Sequence, residues 1–440
     1  MHSPLCDGTI KMEVFTGPQS HMFLTLINTL FTSQALLSPK NLFPADFGPN
    51  LKDGDEFDFI VVGSGSAGST VAYRLSEHQN WTVLLLEAGG YPSTATEIPL
   101  VFFDLAKTQD DWHYDLEPSN SACLGSRKQK CMYPRGKTLG GTSAINGMMY
   151  IHGHRKDFDT WEDKGNVGWG YDSMIKHIKK VEDVQVENML FGKGGELKIT
   201  QYRSPHPIRR ALIRAYQEVG YGEYDQENPI GYFDSFTSIY KGTRVSAAKA
   251  FLSKAKNRKN LYVALNAQVG RVLLEGAHVT GVEVRLNDQI LKIKSRKEVI
   301  LSAGSINSPQ ILMNSGIGPK DHLRQLGIPV VKDLEVGQNL QDHIGFTGLF
   351  YNVADHALLP KTSDSVLDDW YQYFRHRTGP ISQSGIQNFL SFLDTTRKSN
   401  YPTSEMYYIP LHKNDVYGGL KTYQRAFNLP DDGDTNTKRK

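Results

Sequence analysis

The chain has 440 residues, 39% of them hydrophobic, with 20 Phe and 21 Tyr, enough apolar material for a sizeable core. That excludes disorder over most of the length. Lys and Arg number 49 against 47 Asp and Glu, a net charge of +2. With no basic block before the last three residues, no nucleic-acid partner is expected. At roughly 150 residues per domain, the length suggests two or three domains, or one large discontinuous pair. Three Cys are too few for a disulfide scaffold.

Residues 1–54 are punctuated by Pro and Asn and read as an N-terminal arm. No apolar run reaches the roughly 18 to 20 residues of a membrane span, so none is expected. The nearest run, 22–37, is interrupted by Asn28, Thr29, Thr32, Ser33 and Gln34. It reads either as a degraded secretory segment or as a surface helix, since His21 precedes it rather than a Lys/Arg cluster. Secretion is expected only in the first case. Residues 57–62 form a short apolar run, a buried strand. After Gly63-Ser64-Gly65-Ser66-Ala67-Gly68, Val71, Ala72 and Leu75 mark one helical face. Residues 81–86 are a second buried strand, ending at Glu87. This strand–helix–strand unit should make a parallel pair. Its lone sequon, Asn80-Trp81-Thr82, says little by itself.

Residues 91–135 hold no clean period and read as a long excursion. Cys123 and Cys131 lie in it and would pair in a secreted protein, leaving Cys6 over. A second glycine-rich loop spans 136–147. Asp172 or Ser173 should cap a helix with Met174, Ile175, Ile178 and Val181 on one face. Another helix carries Ile208, Ala211, Leu212, Ala215 and Val219, and Gly220 stops it. Residues 260–286 alternate as a small meander, with turns at Glu275-Gly276 and Thr280-Gly281. Residues 298–302 are a further strand. Ser308 then caps a helix with Pro309 at its first position and Gly316 past its end. Residues 351–430 are mixed and Tyr-rich, and 431–440 are a polar tail. There is no internal repeat.

Three segments carry chemistry. The first is Gly63-x-Gly65-x-x-Gly68 between strand and helix. Glycines there permit a tight turn and a close backbone approach to a pyrophosphate, which the helix N-terminus favours. Glu87 follows at the end of the second strand, where a carboxylate can accept both ribose hydroxyls. The alternative is a glycine turn needed only for packing. The carboxylate argues against a 2′-phosphate and hence NADP, but it does not separate NAD from FAD. The second segment, 134–147, can lay bare backbone along a flat ring or a phosphate, or can be a plain surface loop. The third runs from Ser302 through Ala303-Gly304 to Gly318. There a strand end lacks obstructing side chains, or it is an ordinary strand-to-helix connection.

Together these segments resemble the glucose-methanol-choline (GMC) family of FAD-dependent oxidoreductases. The loop at 136–146 is similar to the family's first signature, and 304–318 to its second. Val336-Gly337-Gln338-Asn339-Leu340-Gln341-Asp342-His343 resembles the closing segment of its FAD domain. Residues 153–161, followed by Gly168-Trp169, resemble its lid and linker. The likeness runs from about 55 to about 430 and leans toward the insect glucose dehydrogenase-like branch. It implies an α/β (α+β) fold, a Rossmann-like FAD-binding domain interwoven with a sheet-plus-helices substrate-binding domain. Residues 55–155 and 244–345 would form the first, and 156–243 and 346–430 the second. Gly63, Gly65, Ser66 and Gly68 would hold the pyrophosphate and Glu87 the adenosine ribose. Thr138, Gly141, Thr142, Asn146 and Met148 would lie along the flavin and ribityl chain. Val269 would meet the adenine, and Ala303 and Gly304 the pyrophosphate. Trp112 falls in the excursion that crosses the flavin, or packs plainly.

The implied reaction takes hydride from a CH–OH carbon of a sugar or alcohol to the flavin. Electrons then pass to a quinone-type acceptor or oxygen. A base must remove the hydroxyl proton. In the family it is a His, paired with a second His or Asn in a C-terminal segment that also carries a Gly-Thr motif. Neither motif nor pair is found here, so no catalytic residue is assigned and the chain as given is expected to be catalytically impaired. A non-catalytic FAD-binding form or an incomplete gene product is the alternative, with an NAD-dependent dehydrogenase third. His343 reads as a structural imidazole, His152 and His154 as solvent-facing lid residues, and His412 as isolated. No Cys/His cluster has metal-ligand spacing, so no metal is expected. No Gly-x-Ser-x-Gly elbow argues for a hydrolase.

Overall fold

The structure is a computed structural model. It describes residues 41–430 except 187–189, 226–228, 347–348, 352–362, 397, 399–400 and 412–418. Residues 22–37, Cys6, His412 and the tail 431–440 lie outside the described residues.

The fold is α/β. Its main sheet has six strands: β1 (Glu56–Val62), β2 (Val83–Leu86), β3 (Leu261–Ala264), β4 (Gln268–Glu275), β5 (His278–Leu286) and β6 (Gln289–Leu301). The order is β3-β2-β1-β6-β5-β4. The pairs among β3, β2, β1 and β6 are parallel, and β6-β5-β4 continue antiparallel. Both faces of the parallel part are covered, which is why these strands read as unbroken apolar runs. Val61, Val83 and Leu85 pack with Ala72 and Phe251 on one face. Ile60, Val62, Leu84 and Leu86 pack with Val282 and Ile311 on the other. Helix α1 (Ser66–Leu75) joins β1 to β2, and α2 (Gly304–Asn314) follows β6.

Several local expectations are corrected. Leu261–Ala264 is not part of a meander but the parallel edge strand beside β2. Gly281 is no turn. It sits inside β5, where a Cβ would lie 2.0 Å from the Ile293 carbonyl oxygen of β6. Only glycine lets the two strands approach there. The turn falls instead at Asn287-Asp288, whose φ values of 47° and 62° suit a tight hairpin. The strand expected at 298–302 is the tail of the longer β6. Its first half pairs with β5 and its second half with β1.

Helix α2 starts at Gly304 with Ala303 at its N-cap, not at Ser308, and Pro309 lies inside it. Pro309 has no N–H to return to Ser305, so the helix gives up one bond there. The helix with Met174 on its inner face begins at Tyr171 after Gly170. Asp172 does not cap it but pairs with Arg155 at 2.8 Å. The helix Pro207–Glu218 ends as expected, with Gly220 at φ +87°.

The excursion after β2 is built of short 3-10 turns and the hairpin Tyr114–Asp115/Met132–Tyr133. Cys123 and Cys131 are disulfide-bonded, with Cα atoms 5.5 Å apart. A four-stranded sheet contains Met149–Tyr150, Phe236–Thr237, Leu197–Gln201 and Glu182–Val184. In a three-stranded sheet Gly231–Asp234 pairs with Phe389–Leu393. Among the described residues no helix is long and apolar enough to cross a membrane.

Candidate functional site

A cavity of about 420 Å³ opens at the C-terminal ends of β1, β2 and β6. This is where open α/β sheets place their ligands. Of the residues singled out from sequence, Gly63, Gly65, Ser66, Glu87, Gly141, Thr142, Val269, Ala303 and Gly304 border it, as does Trp112. Gly68, Thr138, Asn146 and Met148 do not.

The three glycines of the first loop do different things. Gly63 turns the chain at φ +92°, and a Cβ there would sit 2.6 Å from the Ser302 carbonyl oxygen. A Cβ on Gly68 would lie 1.8 Å from the Gly63 carbonyl oxygen, so this glycine seats α1 on the turn. A Cβ on Gly65 would meet nothing within 4 Å, because it would project into the cavity. Gly65 and Ala303 are the N-caps of α1 and α2, and no side chain caps either helix. Two helix N-termini, each with partial positive charge, thus border one cavity.

Glu87 is 5% exposed. Its Oε2 accepts from the Ser64 N–H at 2.9 Å and the Ser64 hydroxyl at 2.5 Å. Its Oε1 accepts from the Gly89 N–H at 2.8 Å. The carboxylate is therefore held by the protein itself and not left free for a ribose alone. Burial pushes its pKa above the usual carboxylate value, against the pull of these donors.

Ser64 was missed from sequence. It is fully buried, and its hydroxyl and carbonyl oxygens accept from the Gly140 N–H at 3.2 and 3.1 Å. It locks the first glycine loop, Glu87 and the second glycine loop together. Its partners lie 23 and 76 positions away, so no local signal marks it.

The second loop packs backbone on backbone against the first. Gly141 has φ +53°, and its Cβ would lie 2.8 Å from the Gly65 Cα. Thr138 is buried behind the loop, its hydroxyl on the Gly90 carbonyl at 3.2 Å. The Asn146 Oδ1 accepts from the Met148 N–H at 3.1 Å and the Arg244 guanidinium at 2.9 Å. Met148 is buried at φ +61°, its carbonyl accepting from the Ser238 N–H at 2.8 Å. Trp112 stacks on Tyr114 at 5.7 Å, and the Lys137 ammonium lies 4.7 Å from its ring centre. Tyr114 in turn exchanges hydrogen bonds with Asn307 of α2, which also borders the cavity.

Among the described residues no histidine borders this cavity. His343 is exposed and does not border it. Against expectation, the His152 side chain is only 7% exposed, because it is bonded to the fully buried Glu182. His154 accepts from the Lys156 N–H at 3.2 Å and caps the helix Arg155–Asp163. Among the described residues no group of three His, Cys, Asp or Glu is placed to hold a metal ion.

Comparison with known proteins agrees with this geometry. The GMC oxidoreductase family model matches residues 57–345. The chain is 40% identical over 369 residues to glucose dehydrogenase [FAD, quinone] of Drosophila pseudoobscura pseudoobscura, covering 80% of this chain and 58% of that one. It is 38% identical over 297 residues to oxygen-dependent choline dehydrogenase of Brucella suis biovar 1, covering 66% and 53%. Among solved structures it is similar to formate oxidase of Aspergillus oryzae RIB40, carrying R554K (TM-score 0.66, 26% identity, 79% and 63% covered). Pyridoxine 4-oxidase from Mesorbium loti is also similar (TM-score 0.59, 35% identity, 63% and 55% covered). The chain spans little more than half the length of these curated relatives. The match over 57–345 takes in all three glycine-bearing segments and the strands that carry them, and the chain belongs to the GMC oxidoreductase family.

Proposed function

We propose that the chain binds FAD in this cavity and forms the cofactor-holding part of an oxidoreductase acting on the CH–OH group of a small alcohol or sugar. The observation that carries this reading is the pair of uncapped helix N-termini facing a cavity whose wall at Gly65 lacks any atom a Cβ would meet. Such a cradle suits a pyrophosphate pressed against bare backbone. Gly65, Ser66 and Gly304 would hold the phosphates, and Glu87 the adenosine ribose. Thr142 and the loop behind it would face the flavin. FAD, when bound, accepts hydride from the CH–OH carbon. The stacked Trp112 and Tyr114, tied to Asn307, would keep water off that part of the cavity. The names of the relatives, which include glucose and choline dehydrogenases, support the substrate class and a quinone-type or oxygen acceptor. Turnover by this chain is put to the test by a steady-state assay with sugars, alcohols and a dye acceptor.

The division into a FAD-binding unit (55–155 and 244–345) and a substrate-binding unit (156–243 and 346–430) belongs to the same proposal. Pairing of Gly231–Asp234 with Phe389–Leu393 supports it, since it joins the two stretches of the second unit. The Cys123–Cys131 disulfide supports passage through an oxidising compartment.

Replacing Glu87 with Ala tests the cofactor site. It removes the carboxylate and leaves the Ser64 and Gly89 N–H groups without their acceptor. At roughly 1.5 to 3 kcal/mol for a hydrogen bond to a charged group, FAD affinity should fall at least tenfold. Titration followed by flavin fluorescence reads it. Unchanged affinity contradicts the assignment.

A further inference from the structure

Arg244 is 1% exposed, and among the described residues no carboxylate is bonded to it. Its Nε donates to the Thr96 carbonyl at 2.7 Å. Its Nη1 donates to the Asn146 carbonyl at 2.6 Å, the Asn146 Oδ1 at 2.9 Å and the Ser143 carbonyl at 3.4 Å. Its Nη2 is buried with no partner among the described residues. Every acceptor is neutral. The nearby acid, Glu97, is already bonded to Lys249, whose ammonium also donates to the Arg244 carbonyl at 2.9 Å. Glu97, Lys249 and Arg244 together thus leave one net positive charge in the interior. Burial pushes the guanidinium down to about 9, and the Glu97 carboxylate nearby offsets this only in part.

A buried guanidinium without a carboxylate is costly, and chains keep one only where something offsets it. Pinning a loop by its carbonyls requires donors, not charge. The residues gripped here, Ser143 and Asn146, lie one and four positions after Thr142, which borders the cavity with Gly141. The charge therefore stands behind the part of the second glycine loop that is expected to face the flavin.

We infer that Arg244 is a positioning residue whose uncompensated charge, set behind the loop 141–146, favours the reduced state of the bound flavin. This rests on the FAD reading above. In the reaction a CH–OH carbon passes two electrons and one proton to the ring as hydride. The hydroxyl proton leaves to solvent, and the carbon becomes a carbonyl. The ring gains one negative charge, and a buried cation nearby stabilises it. The unpartnered Nη2 and the absence of a bonded carboxylate fit a guanidinium that waits for charge to arrive.

The test is the midpoint potential of the FAD-loaded chain, measured by dye equilibration for wild type, Arg244→Met and Arg244→Lys. Arg244→Met should weaken the preference for reduced flavin at least tenfold, about 30 mV lower for a two-electron couple. Arg244→Lys, which keeps the charge but not the planar fork, should recover most of that shift. A purely structural role would loosen oxidised and reduced FAD alike and leave the potential unmoved. A flavin-loaded Arg244→Met with the wild-type potential overturns the inference alone. A wild-type chain that takes up no FAD overturns the cofactor reading and this inference with it. Should Arg244→Met fail to fold, the wild-type protein still decides. With Glu97 and Lys249 paired to each other, the reduced ring should stay anionic between pH 6 and 8. The potential then falls tenfold in equilibrium constant, about 30 mV, per pH unit. Twice that slope, two protons per two electrons, overturns it.

Discussion

Gly65→Val is expected to fold and to lose FAD, whereas Gly68→Ala, three residues on, is expected to lose much of its stability. The two glycines belong to one motif but face opposite ways. Gly65 has φ −64° and ψ −164°, a conformation open to any residue. A Cβ there meets no atom within 4 Å, because the space belongs to the cavity. Valine is a poorer N-cap than glycine and should cost about 1 kcal/mol of stability. Its methyls would stand where a phosphate must approach. The loss of affinity should be on the order of 100-fold, or about 2.7 kcal/mol. A Cβ on Gly68 would be driven to 1.8 Å from the Gly63 carbonyl oxygen, which is backbone and cannot swing away. That overpacking should destabilise by about 3 kcal/mol. Thermal melts and FAD titrations on both variants check the contrast. A Gly65→Val chain that binds FAD as tightly as wild type sinks the assignment of this loop.

Glu182→Gln should be among the most damaging isosteric changes away from the cavity. Glu182 opens the strand Glu182–Val184, and its side chain is fully buried. It accepts from the Tyr150 hydroxyl at 2.6 Å, the Gly192 N–H at 2.8 Å and the His152 imidazole. Burial acts to raise its pKa, but the His152, Tyr150 and Gly192 hydrogen bonds outweigh it and hold the carboxyl below its usual 4.5. The sign of the pH effect follows. A depressed carboxylate contributes stability that is complete above its unfolded value and is lost as pH falls below it. Wild type should therefore weaken on acidification below about pH 4.5 in part through this group. The amide presents only one acceptor oxygen where three donors converge, so a buried donor loses its acceptor. Leaving a buried donor of this carboxylate network unsatisfied should cost about 3 kcal/mol at pH 7. The variant should also show a shallower acid limb. Urea melts at pH 7 and pH 4 measure both, and a variant matching wild type at pH 7 refutes the network's importance.

What the sequence made legible was local. The run Phe57–Val62, the glycine turn and the run up to Leu86 gave β1, α1 and β2 in register, because strands buried on both faces leave unbroken apolar stretches. Glu87 was legible because its spacing from Gly63 places it at a strand end. The errors came where a residue's local preference was overruled by something distant. Gly281 looked like a turn, yet it is a strand glycine made necessary by the Ile293 carbonyl across the ladder. Ser308-Pro309 looked like a helix start, yet α2 begins four residues before Ser308, where Gly304 at φ +86° brings the chain out of β6. His152 looked solvent-facing because its partner, Glu182, lies 30 residues away. Ser64 and Arg244 carry no local mark. Each acts through partners tens of residues off, and only folding brings those together. At the cavity, sequence named part of the rim but not what lies behind it.

The most direct measurement is an equilibrium titration of the purified chain with FAD, followed by visible absorbance and flavin fluorescence, with NAD as competitor. The expected result is saturation at one FAD per chain, a perturbed flavin spectrum and no displacement by excess NAD. A chain that stays colourless, leaves the flavin fluorescence unchanged, or releases FAD to NAD would contradict the assignment of the cavity.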